Sequence, residues 1–260
     1  MTDAHNLVRR QFGAHAENYV ASQDHAQGES LDQLIAWLPW EPGWRALDIA
    51  TGGGHTAFAL ARRAASVAAS DLTVPMLRAA RAQADKRGLR ALTFPAADAG
   101  RLPFCDGAFA LVTCRLAAHH FPEPADFVRE SARVLRPGGW FALIDNVTPA
   151  EGRAARFINA FEKLRDPSHQ WEHSTPDWEA FCQAAGLAVR LVEAYRKPLD
   201  FEPWCDRLSV PAQTRLQLRA LLWQAPEAGR QALQPQFAGD LLTGPVRFSL
   251  GEILLIAQRP

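Results

Sequence analysis

The chain has 260 residues, of which 48% are hydrophobic and 22% are charged, and its 28 basic residues balance 28 acidic ones. This composition is typical of a soluble globular protein with one large α/β domain, or a core domain with a modest insertion. The formal net charge of zero gives no electrostatic footprint for nucleic acid or for an anionic membrane, so we expect neither as a partner.

The cysteines and the N-terminus indicate the compartment. Four cysteines are present and none forms a C-x-x-C pair, which favours reduced thiols and no zinc site; they are Cys105, Cys114, Cys182 and Cys205. The first residues lack the basic start and apolar stretch of a signal peptide, and no apolar run reaches the roughly 18 residues of a membrane span. We therefore predict a cytoplasmic protein.

The N-terminal segment, residues 4–38, has a helical pattern. Phe12, His15, Ala16 and Tyr19 fall at i, i+3, i+4 and i+7 and share one face. A second helix is predicted over residues 30–38.

The most informative stretch is residues 45–54, R-A-L-D-I-A-T-G-G-G, followed by a helical pattern. A buried strand, a glycine turn and a helix open a nucleotide-binding βαβ unit, but this glycine spacing alone also fits an NAD-binding turn. Asp48 argues against NAD, because its carboxylate would repel a pyrophosphate and attract a cationic ligand.

Two further acids follow predicted strands. Asp71 closes a strand over residues 66–71 and suits ribose hydroxyls, although it could also only cap the next helix. A third strand over residues 91–96 runs into Asp98, a further acid that follows a strand.

Four ordered segments resemble the motifs of class I SAM-dependent methyltransferases. They are L-D-I-A-T-G-G-G at 47–54, D-L-T-V-P-M-L at 71–77, D-A-G-R-L-P-F-C-D-G-A-F at 98–109 and V-L-R-P-G-G-W-F at 134–141. Ala50 stands where the family usually has its first glycine. The resemblance implies an α/β fold: a doubly wound, Rossmann-like, seven-stranded and mostly parallel sheet with an antiparallel last strand, in the order 3-2-1-4-5-7-6.

The resemblance also implies S-adenosyl-L-methionine as cofactor and a set of residues that bind it. These are Tyr19, Asp48, Ala50, Thr51, Gly52, Gly54, Asp71, Leu72, Met76, Asp98, Ala99, Cys114 and Arg115. Tyr19 could close over the cofactor or only pack the N-terminal helix, and Met76 could equally belong to the core.

Three histidines are candidate general bases, because imidazole titrates near neutral pH. His119 and His120 follow a strand over residues 109–114, and His169 lies in a loop, residues 165–169, that resembles one in a subgroup close to the ubiquinone/menaquinone biosynthesis methyltransferases. Arg165 of that loop could orient an anionic or carbonyl substrate. The alternatives are a structural histidine pair and a salt-bridged loop. We predict no metal, because adjacent side chains usually diverge and no third ligand is evident nearby.

The remaining patterns complete the expected organisation. Residues 1–40 would form a helical cap, 41–150 the cofactor-binding core, and 151–260 a half that completes the sheet and carries a substrate lid at 196–244. Helices are predicted over 125–135, over 151–164 and from 175 to 186, and strands over 140–146, 187–195 and 248–257. We predict methyl transfer to a small-molecule acceptor, and leave a homodimer open. The alternatives are a non-catalytic SAM-binding protein, an NAD-dependent oxidoreductase, and metal-dependent methylation of a catechol type.

Overall fold

The computed structural model describes residues 3–14 and 29–260. Its strands are β1 Arg45–Ile49, β2 Ser66–Ser70, β3 Leu92–Thr93, β4 Phe109–Arg115, β5 Leu135–Val147, β6 Ala188–Asp200, β7 Gln236–Phe237 and β8 Val246–Gln258. Its helices are α1 Asp3–Ala14, α2 Glu29–Trp37, α3 His55–Leu60, α4 Val74–Lys86, α5 Pro124–Val134, α6 Gly152–Arg165, α7 Thr175–Ala184, α8 Phe201–Asp206, α9 Ala212–Trp223 and α10 Glu227–Leu233, with a 3₁₀ turn at Ala118–His120.

The strands form one sheet in the order β3-β2-β1-β4-β5-β8-β6. Neighbours are parallel from β3 to β5, and β8 runs antiparallel to both β5 and β6. The predicted fold and strand order are therefore confirmed, with the two-residue β7 as an additional strand paired to β8. The strand order reverses between β1 and β4, and this reversal leaves a crevice at the carboxyl ends of these two strands.

Both faces of the sheet are covered by helices, and this explains why the central strands are apolar throughout. Six of the seven residues of β4 are buried, as are all but the first residue of β1. One apolar cluster on one face includes Leu47, Phe127 and Trp178, and a second on the other face includes Leu34, Leu60 and Leu111. The two clusters fix the strand ends from which the site is built.

A third apolar cluster lies between α6 and the segment that separates β6 from β8; it includes Phe161, Trp204 and Phe248. This segment begins later than the sequence predicts. Residues 196–200, predicted to open the lid, continue strand β6 and pair with residues 247–251 of β8. Pro198 is tolerated there because β6 is an edge strand, where a missing N–H breaks no ladder.

The third strand is shorter than predicted, since only Leu92 and Thr93 pair with β2 before Pro95. Pairing resumes at a single bridge between Asp71 and Ala96. Among the described residues, no helix combines the length and the apolar character that crossing a bilayer requires. Tyr19 lies outside the described residues, as does His15.

Candidate functional site

A cavity of about 270 Å³ opens at the carboxyl ends of β1, β2 and β4. Its floor and walls are formed by the turns that follow these strands, and α1 contributes the facing wall. The predicted residues that line it are Ala50, Thr51, Gly52, Asp71, Leu72, Met76, Asp98, Ala99 and Arg115. We call it the glycine-loop cavity.

The turn after β1 approaches the cavity with backbone. Ala50, Gly52 and Gly54 all have positive φ, at 53°, 53° and 88°. A Cβ on Gly54 would lie 2.4 Å from Phe58 Cζ, so that position also needs the room that glycine gives. Ala50 adopts the conformation that glycine adopts more easily, which explains why the family has glycine there.

Asp48 lies beneath this turn and does not line the cavity. Its carboxylate is buried and accepts hydrogen bonds from the hydroxyls of Thr51, at 2.7 Å, and Thr113, at 2.8 Å. Burial raises the pKa of Asp48 to about 6, against the lowering effect of these bonds. The structure therefore places Asp48 as a support for the turn rather than as a surface charge facing a ligand. Gly54 and Cys114 likewise lie outside the cavity lining.

Asp71 faces the cavity and is held in place by backbone. It accepts hydrogen bonds from Gly52 N at 3.0 Å and Thr73 N at 2.8 Å, and burial raises its pKa. Each carboxylate oxygen can accept more than one bond, so both remain able to bind hydroxyls. Asp98, which accepts a bond from Gly100 N at 2.9 Å, is more exposed at the mouth.

Helix α1 closes the cavity from above. His5, Val8 and Phe12, at i, i+3 and i+7, line it from one face of the helix. His5 Nε2 lies 3.6 Å from Asp98 Oδ2, and the ring of Phe12 meets that of His120 edge to face with centroids 4.9 Å apart. Phe12 is the member of the predicted helical face that falls within the described residues, and it lines the cavity.

A second cavity, of about 70 Å³, adjoins the first and shares Phe12, Leu116 and His120 with it. Its other walls come from the 3₁₀ turn after β4, from the end of β5, from the segment between α6 and the end of α8, and from β6 and β8. They include His119, Asn146, Glu162, Arg165, Asp166, His169, Lys197, Leu199, Trp204, Arg207 and Leu250. We call it the histidine cavity.

His119 is fixed by Asp145, which is fully buried near the end of β5. Asp145 Oδ1 lies 2.6 Å from His119 Nδ1, and Oδ2 accepts a bond from His119 N at 2.9 Å. Burial by itself lowers the pKa of His119, but the Asp145 carboxylate outweighs it and raises the pKa to about 9. His119 is therefore an imidazolium at neutral pH.

His120 and His169 have the opposite character. Burial and the neighbouring charge of His119 lower the pKa of His120 to about 4 and that of His169 to about 2. His120 Nδ1 lies 3.3 Å from Ser168 Oγ, and His169 Nε2 lies 2.8 Å from Asn159 Oδ1. Both rings are neutral at physiological pH.

The adjacent His119 and His120 thus meet His169, which lies some fifty residues further along the chain, in one cavity. The ring centroid of His119 lies 4.2 Å from that of His120 and 5.7 Å from that of His169. Adjacent His119 and His120 do not diverge as expected, because the 3₁₀ turn keeps both rings on one side. Within residues 3–14 and 29–260 no group of three His, Cys, Asp or Glu side chains is arranged to hold a metal ion.

Sequence reasoning missed Asp145, Asn159 and Ser168. Asp145 carried a usable signal, an acid near the end of a buried strand, the same signal that drew attention to Asp48 and Asp71. Asn159 and Ser168 carried none, since only the fold brings them to the histidines.

Comparisons with known proteins agree with this architecture. The family described as "Methyltransferase domain" matches residues 47–143. The uncharacterized methyltransferase YcgJ of Bacillus subtilis (strain 168) is 35% identical over 84% of this chain and 87% of its own. The ubiquinone/menaquinone biosynthesis C-methyltransferase UbiE of Bartonella quintana (strain Toulouse) is 33% identical over 74% of this chain and 75% of its own. The crystal structure of YcgJ superposes with a TM-score of 0.85 at 33% identity, covering 88% of this chain and 97% of that one.

The sheet order, the glycine turn and the acids at successive strand ends are those of a class I methyltransferase fold. With a relative this similar over most of both chains, the protein belongs to the methyltransferase domain family. The predicted enzyme class, a SAM-dependent methyltransferase, is thereby confirmed.

Proposed function

We propose that the chain binds S-adenosyl-L-methionine in the glycine-loop cavity and transfers its methyl group to a small-molecule acceptor in the histidine cavity. The observation that carries the proposal is the junction of the two cavities at His120, Leu116 and Phe12. A donor in one cavity and an acceptor in the other would meet there, which is the positioning that a displacement reaction needs.

The residues of the glycine-loop cavity fit this cofactor. Gly52 leaves open the space beside Met76, whose Cε lies 3.5 Å from where a Cβ would be. Asp71 presents carboxylate oxygens to the cavity for ribose hydroxyls, and Asp98 with Ala99 presents polar atoms for the base. Thr51, held by Asp48, keeps the turn in place.

When bound, the cofactor supplies a methyl group on a positively charged sulfur, which is already an activated leaving group. The chain's own task is then to hold the acceptor and exclude water. His120, neutral and lining both cavities, is placed to accept a proton from an acceptor hydroxyl, and the His119–Asp145 pair supplies a fixed positive charge beside it.

The segment between β6 and β8 contributes Trp204 and Arg207 to the histidine cavity. We infer that residues 201–245, rather than 196–244, shape acceptor specificity. Trp204 stacks on Phe161 with ring centroids 5.1 Å apart, and the Arg165 Cζ lies 4.3 Å from the Trp204 ring centroid, so two side chains of α6 hold this wall in place.

Calorimetric titration with S-adenosylhomocysteine and with NAD tests the cofactor. We expect binding of S-adenosylhomocysteine and none of NAD, because the Asp48 carboxylate lies beneath the glycine turn that would hold a pyrophosphate and would repel it. Binding of NAD alone would overturn the proposal in favour of an oxidoreductase.

Incubation with methyl-labelled S-adenosyl-L-methionine and a panel of hydroxylated metabolites tests turnover. Transfer of label that survives treatment with a chelator is the expected result. Tight cofactor binding with no transfer to any compound would favour a non-catalytic SAM-binding protein, and loss of transfer on chelation would favour metal-dependent methylation.

A further inference from the structure

The hydrogen bonds around the histidine cavity determine which ring nitrogen of His169 carries its proton. Asn159 Nδ2 donates to Ala155 O at 2.9 Å, and Asn159 Oδ1 accepts from Glu172 N at 2.6 Å. The oxygen of that amide therefore faces His169 Nε2 at 2.8 Å. Because an amide oxygen only accepts, His169 carries its proton on Nε2 and leaves Nδ1 as a bare acceptor.

His120 is fixed in the opposite tautomer. Ser168 Oγ donates its single proton to Asp166 Oδ1 at 2.6 Å, so toward His120 Nδ1 it acts as an acceptor. His120 is consequently protonated on Nδ1, and its Nε2 is a bare acceptor that forms no hydrogen bond to the described residues. The carboxylate nearest to Nε2, Asp166 Oδ2, lies 4.0 Å away, beyond hydrogen-bond distance.

His119 differs again, because its Nδ1–H donates a hydrogen bond to Asp145. As an imidazolium it carries a second proton on Nε2, the ring nitrogen that no described residue binds. The histidine cavity thus presents one charged donor and two bare acceptors, with ring centroids 4.2 to 6.4 Å apart. Two of the nearby charged side chains are held by the protein: Arg165 donates to Trp204 O at 2.9 Å, and Asp166 accepts from Ser168.

We propose that the acceptor is a molecule with two oxygens on neighbouring atoms, one ionised or carbonyl and the other a hydroxyl, as in a catechol, an enediol or a 2-hydroxy acid. The ionised or carbonyl oxygen accepts from His119 Nε2–H, and the hydroxyl donates to His120 Nε2 or His169 Nδ1. An acceptor with only one of the two oxygens leaves a buried ring nitrogen without its partner, which is the strongest basis a site has for rejecting an analogue. This inference rests on the proposed function.

Nitrogen-15 NMR of the uniformly labelled protein with bound S-adenosylhomocysteine tests the proton positions. We expect His119 protonated on both nitrogens at pH 7.5, His120 on Nδ1 only and His169 on Nε2 only. A proton on His120 Nε2 or on His169 Nδ1 would overturn the proposal.

Calorimetry with matched probes tests the recognition: catechol against phenol, and lactate against propionate. In at least one pair we expect the two-oxygen probe to bind about tenfold tighter, the effect of one hydrogen bond to a charged or fixed group. Equal binding within both pairs, or binding of none of the four, would overturn the proposal.

The variant Ser168→Ala removes the hydroxyl that fixes the tautomer of His120, and Ser168 does not line either cavity. It should abolish most of the preference for the two-oxygen probe and leave the affinity for S-adenosylhomocysteine unchanged. Ser131→Ala is the matched control, because Ser131 is equally buried and its hydroxyl has no hydrogen-bond partner within the described part of the chain. Retention of the full preference in Ser168→Ala counts against the proposal. Failure of S-adenosylhomocysteine to bind would instead reject the proposed cofactor, and the same probes on the unliganded protein would still test the oxygen pair.

Discussion

The two cavities differ in how their polar groups are held. In the glycine-loop cavity, the acids Asp71 and Asp98 accept hydrogen bonds from backbone N–H groups of the surrounding turns, as Asp71 does from Gly52 and Thr73. In the histidine cavity, side chains are held by side chains from distant segments, as His119 is by Asp145 and His169 by Asn159.

This difference has an electrostatic consequence. Backbone donors stabilise a carboxylate without adding a titrating group, whereas side-chain networks join ionisable groups to each other. The histidine cavity accordingly contains a histidine with a pKa near 9, two with pKa values of about 4 and about 2, and next to them Glu172, whose pKa burial raises to about 8. We expect substitutions at the glycine-loop cavity to change backbone geometry and cofactor affinity. We expect the effects of substitutions at the histidine cavity to depend on pH.

The largest effect is expected for Asp145→Asn. The His119 pKa is raised from its usual value of 6.5 to about 9, so the pair stabilises the fold fully below pH 6.5 and loses this contribution as the pH rises through 9. The shift corresponds to about 3 kcal/mol. Urea unfolding should therefore show the variant less stable by roughly that amount at pH 6, with the difference shrinking toward pH 10.

The control for this variant is Asp106→Asn, which removes an exposed carboxylate paired with Arg133 and should change stability by less than about 1 kcal/mol. A difference between wild type and Asp145→Asn that stays constant from pH 6 to pH 10 would show that the pair does not titrate as described.

Gly54→Ala comes next, with an expected loss of about 2–3 kcal/mol from the positive φ and the overlap with Phe58. Gly88→Ala is the matched control, because Gly88 also has positive φ, 67°, but no atom of the described residues lies within 4 Å of the position of an added Cβ. Thermal unfolding of both variants separates the two contributions. Equal losses would mean that Phe58 moves away without cost.

Asp71→Asn should weaken binding of S-adenosylhomocysteine by about 10- to 100-fold, because an amide replaces a carboxylate that is proposed to accept two hydroxyl bonds. Isothermal calorimetry measures this directly. Asp85→Asn, on the exposed face of α4, should bind like wild type. Unchanged affinity in the Asp71 variant would remove Asp71 from the cofactor site.

Phe12→Ala tests the wall that joins the two cavities. Loss of the ring that packs against His120 should weaken S-adenosylhomocysteine by about fivefold and raise the apparent acceptor KM, since one aromatic contact contributes about 1 kcal/mol. Leu7→Ala on the same helix is the comparison, because Leu7 does not line either cavity. Equal effects of both changes would indicate loss of the helix rather than of the contact.

The smallest effect is expected for Ala50→Gly, which relieves a positive φ of 53° in a non-glycine residue. The gain should be about 0.5 kcal/mol, since the relief of 1–2 kcal/mol is partly offset by the flexibility of glycine in the unfolded chain. Differential scanning calorimetry is sensitive enough to detect it. A lower melting temperature would show that the turn tolerates Ala50 without strain.

Much of the glycine-loop cavity could be predicted from the sequence, because its groups lie on short segments directly after strands. The location of an acid at the end of a predicted strand can be inferred directly, because the parallel strands all end at the same edge of the sheet. Asp71, Asp98 and the turn at residues 50–53 followed from this rule, and all line the cavity. Asp48 does not line the cavity, because its side chain lies below the turn and accepts a hydrogen bond from Thr113 on the neighbouring strand.

The histidine cavity could not be derived in this way. The sequence singled out His119, His120 and His169, but their shared cavity depends on contacts across some fifty residues, such as those of Gln170 N and Trp171 N with His119 O. Protonation follows from burial and from partners such as Asp145 and Asn159. A local pattern can point to Asp145 at its strand end, but it does not show that either residue pairs with a histidine.

The sequence by itself determined the family, the order of the strands and the edge of the sheet where a ligand would lie, because strand patterns and turn residues are local and repeat a known arrangement. Only the tertiary structure decided which acid faces the cavity and which supports it, and which histidine is charged. Those properties depend on the distance between side chains and on their removal from water, and both are set only when distant segments pack together.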